Sequence, residues 1–382
     1  MNQINNVSHI VDCFGCGVCA MVCPKDIIDI RLNSKGFYTP VISDPEICID
    51  CGLCTKVCSF CNQDLAGESQ PIESCAVWTK DEAVLNECSS GGASFEIGRI
   101  LLEKGYKVCA VKYNNEEARA EHYIADSQAT LHHSIGSKYI QSYTKEAFGM
   151  IDKNQKYLIT GTPCQIDSLR RYLKLYKKED NFILLDFFCH SVPSYKMWRK
   201  YLQMQEAKVG KHSAATWRDK TTGWHDSWSM VIEGGASKVV SKLSDGDVFY
   251  HLFLGDFCCN PACHDNCRFK YKASSADIRI GDMWGATYKT NDKGVSSVIA
   301  FSARGLDVLK DLRIRCHVQE HPFDKVAEGQ MRTNAHKAKL SFLVWKCLND
   351  ERQYSERFWK ILIFIGRLVE MPFKVIRKIS GK

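Results

Sequence analysis

Eight cysteines between residues 13 and 58 constrain this chain more strongly than any other feature of its sequence. They follow the pattern C-x-x-C-x-x-C-x-x-x-C, first as CFGCGVCAMVC from Cys13 and again as CIDCGLCTKVC from Cys48. The second copy starts 35 residues after the first, which makes the pattern an internal repeat. In such a repeat, three closely spaced cysteines wrap around one iron–sulfur cube and the fourth points to the other cube. The repeat therefore predicts a ferredoxin domain with two 4Fe-4S clusters.

The order of the cysteines assigns a ligand set to each cluster. Cluster 1 is predicted to take Cys13, Cys16, Cys19 and Cys58, and cluster 2 to take Cys48, Cys51, Cys54 and Cys23. A pair of zinc sites would also use eight thiolates. Zinc ribbons, however, usually have two separate C-x-x-C knuckles, whereas each motif here places four cysteines within eleven residues. Cys61 follows the second motif without an assigned partner, either as a packed thiol or as an alternative ligand.

Composition indicates a globular protein whose cysteines are reduced. The chain has 382 residues, of which 45% are hydrophobic, and it contains 20 cysteines. Residues 1–12 lack the basic start and apolar run of a signal peptide, so disulfides are not expected. No apolar run approaches the roughly 18 residues of a membrane span, and no basic, aromatic-interleaved patch indicates nucleic-acid binding. We expect a cytoplasmic protein with metal-binding thiols.

Local patterns divide the chain into four parts. The ferredoxin domain covers residues 1–62, a polar linker 63–74, a larger domain 75–350 and a basic tail 351–382. In the larger domain, strand-like runs at residues 75–78, 106–113, 157–160 and 182–188 are followed by helical patterns. The predicted fold class is α+β: a two-cluster ferredoxin-like domain, a mixed α/β domain with partly parallel strands, and a helical tail.

Two helix starts in the larger domain are candidate binding positions. The sequence SSGG at residues 89–92 precedes a helical pattern, and free N–H groups there could hold a phosphate or a flavin pyrophosphate. Ordinary capping by serine is the alternative. The second start is GTPCQI, with Thr162 as N-cap, Pro163 at the first helical position and Cys164 in the first turn. A thiolate is stabilised at such a position, which suits a metal ligand.

Further cysteines could form a third metal site. Cys189 and His190 end the strand that follows Cys164, and the carboxyl ends of strands in α/β sheets are common ligand sites. The later segment CCNPACHDNC supplies another group, Cys258, Cys259, Cys263 and Cys267. These four could form a zinc knuckle, or two of them could join Cys164 and Cys189 around a third 4Fe-4S cluster.

The motifs together resemble a known family. The ferredoxin repeat, SSGG, IGSKYIQS, GTPCQIDSL, FFCHSVPS, RDKTTGW and ADIRIGDMWG are similar to those of the coenzyme F420 hydrogenase/dehydrogenase beta subunit family. The resemblance implies an iron–sulfur flavoprotein that binds FAD. It implies cofactor contacts at Ser89, Ser90, Gly91, Gly92, Ser137 and Lys138, and third-cluster ligands at Cys164, Cys189, Cys263 and Cys267. The chain departs from the family's tighter C-x-x-C, because three residues separate Cys263 from Cys267.

Catalytic residues are less defined than cofactor ligands. His190 could donate a proton to a substrate or cap the carbonyls at a strand end. Lys220 could attract an anion, with Trp224 stacking on a flat ring, or both could belong to a solvated turn with one buried tryptophan.

The basic tail indicates contact with a surface. Residues 351–382 hold eight Lys or Arg against three Glu, and residues 357–378 alternate apolar side chains with cations. Pro372 is expected to kink or end the first helix. Either the tail binds a membrane surface or a partner, or it docks on the larger domain with its charges in water.

The functional expectation is an FAD- and iron–sulfur-dependent oxidoreductase. Electrons would pass from the ferredoxin clusters to FAD and on to a small substrate, either a deazaflavin coenzyme or an intermediate of a polysaccharide pathway. An electron carrier such as a ferredoxin, or a redox subunit, is the expected partner. The alternative is a relay subunit that carries clusters without a substrate of its own. The expected location is the cytoplasm. The basic tail suggests, in addition, peripheral contact with the inner face of the membrane.

Overall fold

The computed structural model describes residues 5–67, 69–235 and 237–379, with side chains described up to Met371. Its ferredoxin part contains two short helices, α1 (Val18–Val22) and α2 (Leu53–Lys56), and one antiparallel hairpin. The hairpin strands are β1 (Ile28–Leu32) and β2 (Tyr38–Ile42). Gly17 and Gly52, at equivalent positions of the repeat, precede the two helices with φ of 78° and 73°. Glycine tolerates this left-handed conformation, so each cysteine loop can turn directly into its helix.

The larger domain contains twelve further strands among the described residues. They are β3 (Glu73–Thr79), β4 (Lys107–Asn114), β5 (Arg119–Ala125), β6 (Ser142–Tyr143), β7 (Tyr157–Thr160), β8 (Phe182–Phe187), β9 (His212–Thr216), β10 (Ser229–Gly234), β11 (Ser237–Lys242), β12 (Ile278–Asp282), β13 (Ser296–Ala300) and β14 (Cys316–Glu320). The four strand-like runs of the sequence correspond to β3, β4, β7 and β8. The first begins two residues earlier than predicted, and the others differ by at most one residue at either end.

Helices cover the faces and the C-terminal side of the sheets. They are α3 (Glu82–Glu87), α4 (Ala93–Glu103), α5 (Gln128–His132), α6 (Lys145–Gly149), α7 (Pro163–Tyr176), α8 (Tyr195–Val209), α9 (Val248–Leu254), α10 (Pro261–Asp265), α11 (Ala303–Arg315), α12 (Phe323–Val326), α13 (Ser341–Asn349) and α14 (Glu356–Ile379).

A nine-stranded mixed sheet organises the larger domain. Its strand order is β14-β3-β13-β12-β8-β7-β4-β5-β6, and a separate three-stranded sheet has the order β11-β10-β9. Strands β4, β7, β8 and β12 run parallel to one another at the centre, and antiparallel pairs flank them. The predicted α+β class, with a ferredoxin-like region, a mixed sheet and a helical C-terminal end, is confirmed.

Helix α7 joins the ferredoxin part to the sheet. Its buried Asp167 accepts hydrogen bonds from Arg171 Nε at 3.0 Å and from Arg268 Nη2 at 3.3 Å. Arg268 also donates to the backbone carbonyls of Ser59 and Asn62, at 2.8 and 2.7 Å, in the ferredoxin part. One buried carboxylate therefore orients two arginines that hold the end of the ferredoxin domain.

The C-terminal helix α14 packs against α9 and continues past Pro372 to Ile379. Of the two alternatives expected for Pro372, an end of the helix is therefore wrong, and a kink at this residue stays a prediction. Proline removes one hydrogen bond within a helix, and the burial of Trp359 and Ile363 anchors the turns before it. Residues 380–382 of the predicted tail lie outside the described residues. None of the described helices has the length and hydropathy required to cross a bilayer.

The Asp167 network yields a stability prediction. Replacing Asp167 with Ala leaves two largely buried guanidinium groups without their shared carboxylate, which should lower the free energy of unfolding by about 3–5 kcal/mol. Asp307→Ala is the matched control, because its partner Lys310 and Asp307 itself are 61% and 71% exposed. The control should cost less than about 1 kcal/mol. Anaerobic urea unfolding measures both changes, and equal losses would contradict the proposed importance of the network.

Candidate functional site

The structure gathers the eight ferredoxin cysteines around two small cavities. The first cavity is lined by four of them, Cys13, Cys16, Cys19 and Cys58. The second is lined by the other four, Cys23, Cys48, Cys51 and Cys54. These groups coincide with the ligand sets expected for clusters 1 and 2. Cys61 lines neither cavity, although its thiol lies next to that of Cys58.

The thiols surround each cavity instead of meeting at a point. Across the described ranges, no group of three or more His, Cys, Asp or Glu side chains could hold a single metal ion. A 4Fe-4S cube needs thiolates spread around its corners, whereas a zinc ion needs them within about 2.3 Å of one centre. Eight thiols divided equally between two cavities match the ligand needs of two such cubes.

The two sets differ in their exposure to solvent. The thiols of the first set are buried, and burial, with Cys58 nearby, raises the pKa of Cys16 to about 11. In the second set Cys51 is exposed, and Cys23 and Cys48 are half-buried. The second set therefore lies at the surface, and the first lies between it and the larger domain.

A third group of thiols lies where α7 begins. Cys164 follows β7 and Cys189 follows β8, and these neighbouring strands are parallel, so both cysteines leave the same edge of the sheet. Burial raises the pKa of Cys164, and the nearby thiols of Cys189 and Cys263 raise it further. The pKa of Cys189 is raised to about 11 by burial, and Cys267 contributes to the same shift. Cys164 thus lies near Cys189 and Cys263, and Cys189 lies near Cys267, all residues that the family resemblance named.

The two extra cysteine candidates have other surroundings. Cys258 is fully buried, and its backbone carbonyl accepts a hydrogen bond from Ser194 N at 2.9 Å. Cys259 accepts a hydrogen bond from Ser191 Oγ at 3.0 Å. Cys259 lies near Cys263, but both cysteines are packed in the hydrophobic core.

Direct contacts connect the first and third groups of thiols. Ser168 Oγ, on α7, accepts hydrogen bonds from Cys16 Sγ at 3.3 Å and from Ser59 N at 3.0 Å. Ser59 Oγ in turn donates to the backbone carbonyl of Cys164 at 3.0 Å. The first turns of α7 therefore lie against cluster 1's cysteines on one side and carry a member of the third group.

A cavity of about 500 Å³ lies beyond the third group. Its walls include most of the residues predicted to contact the cofactor or the substrate, Ser89, Ser90, Gly92, Ser137, Lys138 and His190. Cys189 lines it as well, so the third group of thiols borders this cavity. Aromatic side chains that the sequence did not single out, among them Tyr139, Trp228 and Phe253, complete the walls. The volume and the apolar walls are typical of sites for small molecules and cofactors.

The SSGG segment forms one rim of the cavity. Gly92 is the N-cap of α4 with φ of 81°, and no side chain caps this helix. Ser89 Oγ accepts a hydrogen bond from Ser137 N at 2.8 Å, whereas Ser90 Oγ donates to the carbonyl of Val295 at 2.8 Å. The uncapped N–H groups of the first turn can bind an anion.

Gly91 has a packing role instead of a place in the cavity wall. A Cβ at this position would lie 2.2 Å from the carbonyl oxygen of Val77 and 2.6 Å from Ser296 N. Only glycine allows the segment to lie this close to β3 and β13. The described residues that line the cavity do not include Gly91.

Two lysines that were predicted to contact a ligand donate hydrogen bonds to backbone carbonyls. The amino group of Lys138 donates to the carbonyls of Val111, Ser134 and Ile135 at 2.9 to 3.1 Å. Burial lowers the pKa of Lys138 to about 7. Lys220 donates to three carbonyls, including that of Ser90 at 3.2 Å, and is not among the cavity residues. Both lysines hold the loops that form the rim.

His190 and Trp224 occupy different positions relative to the cavity. His190 lines it, and its Nε2 is 2.8 Å from Asp256 Oδ1. Trp224 is fully buried behind the wall, where its ring stacks on Trp284 at a centroid distance of 5.3 Å. Trp284 rather than Trp224 lines the cavity.

Arg218 is the functional residue that sequence reasoning missed. Its guanidinium is fully buried, with its Cζ 4.9 Å from the ring centroid of Trp228 and 5.1 Å from that of Trp284. It donates to Asp282 Oδ2 at 2.8 Å and to Tyr139 Oη at 3.0 Å. A cation so placed fixes four side chains of the cavity wall. Its position at the start of the RDKTTGW motif was the available signal.

Family models match both parts of the chain. Residues 12–61 match a 4Fe-4S dicluster domain, and residues 154–326 match the C terminus of the coenzyme F420 hydrogenase/dehydrogenase beta subunit. The uncharacterized protein MJ1349 of Methanocaldococcus jannaschii is 23% identical over 328 residues, which cover 75% of this chain and 82% of that protein. A chain of the F420-reducing [NiFe] hydrogenase complex from Methanosarcina barkeri is 16% identical, with a TM-score of 0.47, 79% of this chain covered and 91% of that one.

The close approach at Gly91 yields a second prediction. Gly91→Ala forces a methyl group against backbone atoms of two strands, and we expect a loss of about 1–3 kcal/mol in the free energy of unfolding. Gly149→Ala is the control, since nothing lies within 4 Å of a Cβ there. Thermal unfolding followed by circular dichroism compares the two variants. Equal midpoints would show that the SSGG segment can move away from the sheet without cost.

Proposed function

This chain carries a 4Fe-4S dicluster domain and a domain of the coenzyme F420 hydrogenase/dehydrogenase beta subunit family, and from that premise we propose that it is an FAD-dependent iron–sulfur oxidoreductase. Electrons pass between an external carrier and a small substrate held in the cavity beside Cys189. The observation that carries the proposal is the order of the thiol groups from the surface to this cavity.

The proposed path has three clusters. Cluster 2 is the external end, because Cys51 is exposed. Cluster 1 is the buried middle, and Ser168 links its Cys16 to the α7 turn that contains Cys164. A third 4Fe-4S cluster held by Cys164, Cys189, Cys263 and Cys267 is the inner end, next to the cavity. Neighbouring members of the path share protein contacts, as a chain of electron carriers requires.

Two features of the cavity support a flavin dinucleotide as its ligand. The uncapped start of α4, with Gly92 in the left-handed conformation, presents N–H groups suited to a pyrophosphate. Tyr139, Trp228 and Trp284 supply flat apolar surface for a ring system. When bound, FAD would exchange single electrons with clusters and a hydride with an organic substrate.

The chain's own residues shape and orient this site. Lys138 and Lys220 fix the two loops at the rim through backbone carbonyls. Arg218 fixes the aromatic wall from behind and is excluded from solvent. His190, held by Asp256, presents a ring to the cavity and is the candidate to position a proton on the substrate. The substrate class remains a deazaflavin coenzyme or a polysaccharide-pathway intermediate.

Cofactor content tests the proposal directly. Protein purified without oxygen should contain about 12 Fe and about one FAD per chain, because each 4Fe-4S cube contributes four irons. Cys263→Ser should lower the iron content to about eight while leaving the first two clusters in place. Cys347→Ser is the matched control, since this half-buried thiol belongs to none of the three groups. Iron assay, flavin absorbance and electron paramagnetic resonance provide the readouts.

The same measurement separates the two candidate functions. About eight Fe and no flavin would overturn the enzyme proposal and favour a relay subunit. If flavin is present, the protein can be reduced with dithionite and mixed with a deazaflavin, a nicotinamide or a nucleotide-sugar acceptor. Reoxidation of the flavin by one of them identifies the substrate class.

A further inference from the structure

Helix α14 has two apolar faces, of which the protein covers one. Trp359 and Ile363 are each 3% exposed, and a Cβ at Gly366 would lie 2.6 Å from the ring of Phe257. This face rests on α9. The helix is therefore docked along one side. This agrees with one of the two alternatives in the sequence analysis, in which the tail docks on the larger domain.

The opposite face of α14 is apolar and open to solvent. Ile361 and Phe364 are 51% and 61% exposed, and Leu368 is 45% exposed. These positions are spaced by three and four residues, so they form one stripe on the helix surface. Further exposed members of the stripe are Phe358, Ile365, Val369 and Met371. A stripe this continuous is uncommon on a protein that has no partner there.

The charges beside the stripe indicate which surface covers it. Three basic side chains are exposed on this helix, those of Arg357, Lys360 and Arg367. Its last turns contain three more basic residues in the sequence, Lys374, Arg377 and Lys378. The helix thus carries six basic residues against two acidic ones, Glu356 and Glu370. An apolar stripe with Phe and Leu beside a row of cations matches a helix that lies in the plane of an anionic bilayer.

We propose that α14 binds the surface of an anionic lipid bilayer, with Ile361, Phe364 and Leu368 entering the headgroup boundary and Arg357, Lys360 and Arg367 contacting lipid phosphates. The docked face of the helix stays on α9, so the protein needs no rearrangement to bind. In this proposal the helix lies flat on the membrane. This inference does not depend on the redox function.

The test is flotation of the full-length protein with lipid vesicles. We expect the unaltered chain to float with vesicles that contain phosphatidylglycerol and to float much less with pure phosphatidylcholine. The double variant Phe364→Glu and Leu368→Glu places two anions in the stripe, and its flotation should fall by at least about tenfold. Lys360→Gln with Arg357→Gln should weaken binding to the anionic vesicles only.

A matched control separates the helix from general surface effects. Ile314 and Phe342 are 76% and 61% exposed and lie on other helices, so Ile314→Glu with Phe342→Glu introduces the same two charges elsewhere. This control should float like the unaltered chain. Circular dichroism and the cluster absorbance check that each variant is folded.

Two outcomes would overturn the membrane proposal. One is the absence of flotation with anionic vesicles, and the other is equal flotation of the Phe364/Leu368 variant and the control. Size-exclusion chromatography with light scattering accompanies the assay. A dimer that the Phe364/Leu368 variant dissociates, without any flotation, would identify a second copy of this chain as the occupant of the stripe.

Discussion

The buried carboxylate of Asp167 is the interaction on which the arrangement of the two domains depends. It holds Arg171 and Arg268, and these arginines bind backbone carbonyls at the end of the ferredoxin domain. Charged groups with so little exposure are costly unless they are paired, so the network is stable only when the domains are together. Electron transfer between carriers depends on their separation, and a rigid joint keeps that separation constant.

The position of α7 explains why one helix can serve both structure and redox chemistry. Its first turn contains Cys164, and its body packs on β8. One turn after Cys164, Ser168 contacts the ferredoxin part, and Asp167 holds the two arginines that bind it. Residues three and four apart lie on the same side of a helix, so Cys164, Asp167 and Ser168 share one side of α7. In the proposed function, the helix that fixes the domains also carries the ligand next to cluster 1. Any change in how the ferredoxin domain docks on α7 would then alter the separation between cluster 1 and the third cluster.

The sequence predicted those parts of the site that depend on local spacing. The cysteine repeat identified both ferredoxin thiol groups because three ligands of each group lie within seven residues. Thr162 and Pro163 predicted the start of α7 because capping chemistry is local. The roles of Lys138, Lys220 and Gly91 could not be predicted in this way. Their partners are backbone atoms of other segments, which become neighbours only when the sheet has formed.

The burial of Arg218 is a further feature that could not be predicted from the sequence. A sequence reader expects an arginine in a polar motif to be exposed, whereas here Asp282 and Tyr139 satisfy its donors and two tryptophans cover its faces. Partners up to 129 positions away along the chain make its burial possible. The fold class could be predicted because it follows from the periodicity of apolar residues. The burial of Arg218 could not be predicted, because it depends on tertiary contacts.

The helical layer beside the cavity connects the two proposals. Phe253 and Leu254 of α9 line the cavity, and α14 packs on the same helix with its apolar stripe turned outward. If α14 lies on a bilayer, the cavity is one helix layer from the lipid headgroups. A substrate made or held at a membrane surface would then reach the cavity over a short distance, whereas a freely diffusing carrier would gain nothing from that position. The arrangement therefore favours substrates that are concentrated at the membrane, and it gives a physical reason for an apolar stripe that folding alone does not require.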